Sequence, residues 1–210
     1  MSLIQEQHIF FLGAGSMAEA LIKGLLEAGL LPTEHMTISN RHRPERLQDL
    51  QNIYGVKVSR DKLADVARAD ILLIAVKPFD LAAAMREIAP AITTQHLIIS
   101  VAAGVATEII EQCIDVSAPV IRAMPNTSSF VQASATALCR GRWVTQQQVD
   151  SAQHLFSAIG TSVEVEEQLM NAVTGLSGTG PAYFYYLVEA LLEGGLACGI
   201  SAETCNALLI

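Results

Sequence analysis

A glycine-rich turn near the N-terminus has the residue types and spacing of a dinucleotide-binding loop. An apolar run at 9–12 leads into a G-x-G-x-x-A pattern, and helical spacing follows. The pattern comprises Gly13, Ala14, Gly15, Ser16, Met17 and Ala18. Gly13 allows a tight turn, Gly15 lets a pyrophosphate approach the backbone, and Ala18 keeps the helix close to the strand. The free N–H groups at the N-terminus of that helix then face the phosphates. The alternative is a helix that simply begins tightly, because such spacing also arises by chance.

The turn after the second predicted strand bears on the choice between the two nicotinamide cofactors. It consists of Ser39, Asn40, Arg41, His42 and Arg43. A carboxylate here would bind the adenosine ribose hydroxyls, whereas hydroxyl, amide and guanidinium groups suit a 2′-phosphate. Because the turn has no acidic residue, it favours NADP, with NAD as the second choice. Arg41 and Arg43 are alternatively ordinary solvated loop charges.

Further strand ends point to the same crevice, because ligands of open α/β sheets bind beyond the carboxyl ends of the strands. Proline stops two strands, at Pro78 and at Pro125, so we expect Lys77 and Asn126 to lie over the cofactor. Taken alone, Lys77 is more typical of a solvated lysine at the edge of the sheet. The predicted cofactor-binding residues at these ends are Ala75, Val76, Lys77, Pro78, Ala103 and Asn126.

A second glycine-rich cluster precedes a long apolar helix and is the candidate substrate site. Its residues are Ser177, Gly178, Thr179, Gly180 and Pro181. Pro181 fits the first turn of a helix, so we expect the preceding N–H groups to be free to bind a carboxylate. The alternative is an interhelical hinge in which Thr179 is the N-cap.

The elements that position these residues alternate between short β-branched runs and helical segments, as a parallel sheet requires. The run 71–76 is apolar on both faces, which is typical of a central strand covered on each side. We predict a Rossmann-type, doubly wound, mostly parallel α/β sheet in a domain of residues 1–165. Strands are expected near 8–12, 36–39, 56–58, 71–75, 97–101, 119–123, 134–139 and 162–165, and helices near 16–28, 44–54, 61–68, 80–89, 106–113 and 145–158.

Residues 166–210 carry no strand signal and predict an all-helical second domain. Its long helix, about 181–198, is apolar nearly all round and must be covered on most sides. The simplest cover is a second copy, which predicts a homodimer or larger homo-oligomer through 181–210. The run from Ala207 to Ile210 ends in the middle of an apolar helical stretch without a cap, so we expect this domain to be truncated.

Composition excludes several classes of function. A net charge of −8 argues against nucleic acid as a partner, since no basic face exists. The apolar runs are too short to span a bilayer. Four cysteines without a C-x-x-C pair, and no secretory leader, predict a cytoplasmic protein. The five histidines show no ligand spacing, so no metal site is expected.

These motifs, taken in order, resemble pyrroline-5-carboxylate reductase along the whole chain. The resemblance is carried by 13–18, 75–78, 101–104, 124–127 and, most specifically, 175–183. It implies reduction of L-1-pyrroline-5-carboxylate to L-proline by NADPH or NADH, the last step of proline biosynthesis. It also implies oligomers assembled through the helical domain, with each active site near a dimer interface.

The resemblance implies hydride transfer to the imine carbon, in which orientation matters more than any side chain. We therefore predict no catalytic side chain and place Glu167 on the cofactor side by family analogy alone. Two departures stand out: Ser128 replaces a common proline, and a Ser-Pro-Gly-Gly-Thr-like substrate loop of the family is missing. The alternatives are a related NADP-dependent reductase of a deazaflavin or another imine, or a non-catalytic NADP-binding module.

Overall fold

The computed structural model describes residue 4 and residues 6–209, with an eight-stranded sheet at the centre. The strands are β1 (Ile9–Leu12), β2 (Met36–Ser39), β3 (Lys57–Val58), β4 (Ile71–Ile74), β5 (Leu97–Ser100), β6 (Val120–Met124), β7 (Ser134–Arg140) and β8 (Gly160–Glu164). Their spatial order is β3-β2-β1-β4-β5-β6-β7-β8. The first six strands are parallel, β7 is antiparallel to β6, and β8 is parallel to β7. This order is that of a Rossmann-type sheet, extended by two strands.

The α-helices of the described residues include several that begin at a start signal in the sequence. They are α1 (Ser16–Glu27), α2 (Pro44–Tyr54), α3 (Lys62–Arg68), α4 (Pro78–Ile88), α5 (Thr107–Glu111), α6 (Gln146–Phe156), α7 (Met170–Val173), α8 (Gly180–Ala197) and α9 (Ala202–Leu209). Proline occupies the first position of α2 and α4, where its missing N–H is no loss. A reciprocal pair of hydrogen bonds between Thr145 and Gln148 caps α6.

The core lies on both faces of the sheet because alternate residues of each central strand point to opposite sides. Phe11 and Leu73 belong to a cluster with side chains of α1, α2 and α6. Phe10 and Leu72 belong to a second cluster with side chains of α3, α4 and α5. A parallel sheet covered on both faces explains why its strands are continuously apolar.

The chain beyond β8 is helical through residue 209, apart from short connections. A π-helical turn (Thr174–Gly178) joins α7 to α8. No residue of α8 is buried, and Phe184 and Tyr186 are 70% and 75% exposed. Across residues 4 and 6–209, none of the helices has the length and hydropathy to cross a membrane.

The predicted Rossmann-type sheet followed by helices is confirmed. Boundaries differ by a few residues: the last strand begins at Gly160 rather than 162, and α5 ends at Glu111 rather than 113. The division of the chain at 165/166 stays a prediction. Residues 1–3 and 5 of the predicted first domain, and Ile210 of the predicted 181–210 interface, lie outside the described residues.

Candidate active site

The carboxyl ends of β1, β2, β4 and β5 open onto one cavity of about 440 Å³. It lies where the strand order reverses, between β1 and β4, which is the ligand-binding position of open α/β sheets. Most of the predicted cofactor-binding residues line it: Gly13, Ala14, Gly15, Ser16, Met17, Ser39, Asn40, Arg41, Ala75, Val76, Lys77, Pro78 and Ala103. The structure therefore brings together residues that lie up to 90 positions apart in the sequence.

The two glycines of the first turn have different roles in the geometry. Gly13 has φ of +111°, and a Cβ there would lie 2.6 Å from the carbonyl oxygen of Ala75. Gly15 has an ordinary φ of −78°, and the nearest atom to a Cβ would be the same oxygen at 3.9 Å. Gly13 is thus required by the fold, whereas at Gly15 the missing side chain leaves open space in the cavity.

An ion-pair network holds this turn from outside the cavity. Arg46 of α2 donates through Nε to the carbonyl of Ala14 at 3.2 Å and forms an ion pair with Glu19 of α1. Tyr54 donates to the other Glu19 oxygen at 3.1 Å, and burial together with the Glu19 charge raises the pKa of the Tyr54 hydroxyl. Sequence reasoning missed Arg46, because its two partners lie 27 and 32 residues away.

The turn after β2 is pre-formed by its own polar groups. Ser39 is buried and donates its hydroxyl to the carbonyl of Phe11 at 3.2 Å, and Asn40 Oδ1 accepts the N–H of His42 at 3.2 Å. Arg41 and Arg43 are exposed and line the cavity. The guanidinium groups, rather than the Ser39 hydroxyl, are therefore the groups of this turn that are open to an anion.

An ion pair at the cavity rim was not foreseen. Lys62, the first residue of α3, and Glu87 of α4 both line the cavity, and their charged atoms are 2.5 Å apart. The sequence does indicate the position of Lys62 at the start of a helix, because it follows Asp61, whose carboxylate caps α3. Nothing in the local pattern indicates that α4 would bring a carboxylate to it.

Three predicted cofactor-binding residues lie outside the cavity. Ala18 is fully buried against the sheet, consistent with its expected role in helix packing. Asn126, after β6, is 8% exposed, and its amide is engaged at both ends: Oδ1 accepts the N–H of Ser128, and Nδ2 donates to the carbonyl of Ser177. A side-chain contact from Asn126 to a cofactor would require it to give up one of these bonds.

Glu167, the third, joins the segment after β8 to the start of α5. Its carboxylate accepts the Thr107 N–H at 2.8 Å and the Thr107 hydroxyl at 2.7 Å. Its Oε1 also lies 3.6 Å from Nη1 of Arg122, a side chain of β6 that is 4% exposed. The carboxylate thus connects the first turn of α5 to the buried guanidinium of β6.

Pro181 lies in the first turn of α8, as expected, but the backbone before it does not leave the expected N–H group free. The backbone is already helical from residue 170, and the N–H of Thr179 donates to the carbonyl of Thr174 at 2.8 Å, so it is not free to bind a carboxylate. Thr179 is not an N-cap through its side chain either, since its hydroxyl donates to the same Thr174 carbonyl at 2.9 Å. In the π turn before α8, the Thr179 N–H donates to a carbonyl five residues back instead of the usual four.

Cys139 of β7 carries a buried thiol whose pKa is raised. The thiol is 2% exposed, and burial, followed by the charge of Glu167, raises its pKa to about 12. A thiol with that pKa is protonated at neutral pH and does not act as a nucleophile.

Comparison with known proteins identifies the family to which the chain belongs. A family model described as NADP oxidoreductase, coenzyme F420-dependent, matches residues 8–104, and one described as pyrroline-5-carboxylate reductase dimerisation matches residues 167–210. Pyrroline-5-carboxylate reductase 2 of Bacillus subtilis is 40% identical over 202 residues, which cover 96% of this chain and 72% of that protein. The pyrroline-5-carboxylate reductase of Methanosarcina acetivorans is 38% identical over 205 residues, covering 98% and 76%. The chain belongs to the pyrroline-5-carboxylate reductase family.

Solved structures of pyrroline-5-carboxylate reductases agree with this membership. The enzyme of Coxiella burnetii has a TM-score of 0.87 and 32% identity, covering 97% of this chain and 75% of that chain. That of Plasmodium falciparum, solved with NADP bound, has a TM-score of 0.86 at 24% identity, which shows the shared fold. The resemblance to pyrroline-5-carboxylate reductases predicted from the sequence motifs is confirmed.

Proposed function

We propose that this chain reduces L-1-pyrroline-5-carboxylate to L-proline with NADPH, the final step of proline biosynthesis. The observation that carries the proposal is similarity to pyrroline-5-carboxylate reductases over both the sheet and the helical region, at 36–40% identity across 96–99% of the chain. The match of residues 167–210 discriminates this activity from those of other dinucleotide-dependent reductases, because the glycine-rich turn alone is common to many of them.

The residues present fit a dinucleotide. The cavity lies at the strand-order switch, and the open space at Gly15 allows a phosphate to approach the first N–H groups of α1. Glu19, the acidic residue in the first turn of α1, is paired with Arg46, which reduces its repulsion of a phosphate. When bound, the reduced nicotinamide supplies the hydride that the imine carbon accepts.

We assign the adenosine end to the turn after β2. Arg41 and Arg43 are exposed cavity residues and suit a 2′-phosphate, which favours NADPH over NADH. Lys62 lies on the same rim and adds a third positive charge, partly offset by Glu87. The segments that follow β4 and β5, at Lys77 and Ala103, then line the part of the groove toward the nicotinamide.

We assign the substrate carboxylate to the segment Ser177–Pro181, with donors different from those expected. The Thr179 N–H is engaged, so a carboxylate must compete with the carbonyl of Thr174 for the Thr179 hydroxyl. Space is available, since a Cβ at Gly175 or Gly180 would meet no atom within 4 Å. A carboxylate is the stronger acceptor, so this exchange is favourable when the substrate is present.

The chain contributes to the reaction mainly by orientation. Hydride adds to the carbon of the protonated imine, the C=N π electrons become the nitrogen lone pair, and the proton already on nitrogen stays there. The groove would hold the nicotinamide, and the segment Ser177–Pro181 would hold the substrate carboxylate. The reaction requires neither a nucleophilic side chain nor a pair of catalytic carboxylates.

We further propose that the chain acts as a homodimer or larger homo-oligomer in the cytoplasm and divides into domains at residues 165/166. The match to a dimerisation model and the exposed apolar surface of α8 support association. Four free cysteines fit a reducing compartment.

The test is oxidation of NADPH by the purified chain in the presence of pyrroline-5-carboxylate, followed at 340 nm as an ordinary reductase assay. We expect turnover and proline as the product. Turnover of a reduced deazaflavin with NADP, but not of pyrroline-5-carboxylate, would favour the other reductase suggested by the model that matches 8–104. NADPH binding with neither reaction would leave only a nucleotide-binding module.

A further inference from the structure

Two carbonyls in the helical run before α8 lack their usual helical donors. In an α-helix each carbonyl accepts the N–H four residues later. The Thr179 N–H donates to Thr174 instead of Gly175, which frees the Gly175 carbonyl. Pro181 has no N–H, which frees the Ser177 carbonyl. The π turn and the proline therefore create two acceptors at neighbouring points of the proposed substrate segment.

Side chains satisfy both acceptors, but from different parts of the molecule. The Tyr183 hydroxyl donates to the Gly175 carbonyl at 3.1 Å, within the same helical run. The Asn126 amide donates to the Ser177 carbonyl at 3.0 Å, from the end of β6. The second bond joins the sheet that carries the cofactor groove to the segment that is to hold the substrate.

The Asn126 amide is itself held in place. Its Oδ1 accepts the Ser128 N–H at 3.0 Å, so Nδ2 must face the Ser177 carbonyl, and its backbone N–H donates to the buried Ser134 hydroxyl at 3.1 Å. With 8% exposure and hydrogen bonds at its backbone N–H, Oδ1 and Nδ2, the donor has little freedom to move. The Asn126 amide therefore holds the Ser177 carbonyl at a fixed distance from the end of β6.

A packing contact reinforces this bond. A Cβ at Gly178 would lie 2.6 Å from Cε of Met124, the last residue of β6. With glycine at this position the Met124 methyl group packs directly against the backbone of the helical run. Met124 and Asn126, two residues apart, thus contact Gly178 and Ser177, which are neighbours in the helical run.

We propose that Asn126 is a positioning residue for the reaction: through the Ser177 carbonyl it sets the distance between the substrate segment and the nicotinamide. This inference rests on the proposed function. Because hydride transfer depends steeply on the approach of donor and acceptor, a shift of about 1 Å can reduce the rate about 100-fold. The residue need not contact either reactant to have this effect.

The test uses Asn126→Ser, which keeps an oxygen to accept the Ser128 N–H but is too short to reach Ser177. We expect kcat to fall about 10- to 100-fold with the Kd of NADPH within about twofold, and the isotope effect with 4-deuterated NADPH to rise as hydride transfer becomes rate-limiting. Amide exchange across 174–186 should increase, while that of α6 stays constant. Gln132→Asn is the matched control, because it shortens an amide at the other end of the 3-10 turn Thr127–Val131 that follows Asn126. It should leave kcat, the Kd of NADPH, the isotope effect and the amide exchange unchanged.

Asn126→Asp provides a second variant of equal size, in case the serine variant folds poorly, since it retains the acceptor and loses the donor. Loss of NADPH affinity in proportion to kcat would instead make Asn126 a cofactor ligand and overturn the proposal. Unchanged kcat and isotope effect in either folded variant would do the same. If the wild-type chain does not reduce pyrroline-5-carboxylate, the proposed function fails and this inference fails with it, whatever the exchange data show.

Adding Pro181→Ala to Asn126→Ser separates positioning from simple hydrogen-bond satisfaction. Alanine restores an N–H that can donate to the Ser177 carbonyl, but it does not restore the link to β6. We expect amide protection to recover while kcat stays low. Recovery of kcat would mean that the carbonyl needs only a partner, and that Asn126 does not set a distance.

Discussion

Substitution of Gly15 by valine should separate cofactor binding from folding. The site has an extended, unstrained backbone with φ of −78°, and the space where the side chain would project is open. Valine is a poor residue at a helix N-cap, so the free energy of unfolding should fall by only about 1 kcal/mol. The added group would occupy the place where a phosphate must approach α1.

The binding cost follows from two terms. Loss of one charge-assisted hydrogen bond to phosphate weakens binding by about 1.5–3 kcal/mol. Steric displacement of the ligand adds about 1–3 kcal/mol. The sum, about 2.5–6 kcal/mol, corresponds to a Kd for NADPH that is at least about 60-fold higher.

Gly13→Ala is the matched comparison. Its φ of +111° disfavours any side chain, and the new Cβ would lie 2.6 Å from the backbone of Ala75. We expect a loss of about 2–6 kcal/mol in the free energy of unfolding from strain and overpacking. Urea unfolding and titration of NADPH fluorescence measure the two quantities separately. Unchanged NADPH affinity in Gly15→Val, or a stability loss as large as that of Gly13→Ala, would refute the assignment of the two glycines.

Three further outcomes are expected. Arg41→Asp should weaken NADPH by about 1.5–3 kcal/mol more than NADH in the same titration, and equal losses would reject the 2′-phosphate assignment. Replacing Leu191 and Leu192 of α8 by lysine should give monomers or insoluble protein in sedimentation, whereas an unchanged oligomer would exclude that face from the interface. The hydrogen bonds from Arg140 hold the pKa of Glu164 below its ordinary value, so this pair stabilises the fold above the ordinary glutamate pKa and loses its effect as pH falls through the lowered one. The stability difference between wild type and Arg140→Gln should therefore shrink below about pH 4, and a constant difference would contradict the coupling.

The sequence predicts those features that depend on local pattern. Strands such as 71–74 are apolar at every position, which indicates a sheet covered on both faces, and Gly13 and Gly15 identify the turn at its switch point. Both signals arise within a few residues, because they follow from backbone geometry and from side-chain periodicity. The motif at 175–183 likewise identifies the family from a single short stretch.

The long-range polar contacts could not be predicted in this way. Asn126 and Ser177 are 51 residues apart and Thr107 and Glu167 are 60 apart, and no periodicity relates the members of either pair. Their pairing depends on how the helical run packs against the sheet. One local signal was available: Pro181 must leave the Ser177 carbonyl without its helical donor, which predicts that some other group donates to it.

The exposure of α8 links its folding to protein concentration. An 18-residue helix with no buried residue gains little from packing within one chain, and packing supplies most of the stability of helices in proteins. Association that covers its apolar faces would supply the missing free energy by mass action. The helical content of this chain should therefore rise on concentration, with the same midpoint as the change in sedimentation coefficient, so that order and assembly form a single equilibrium.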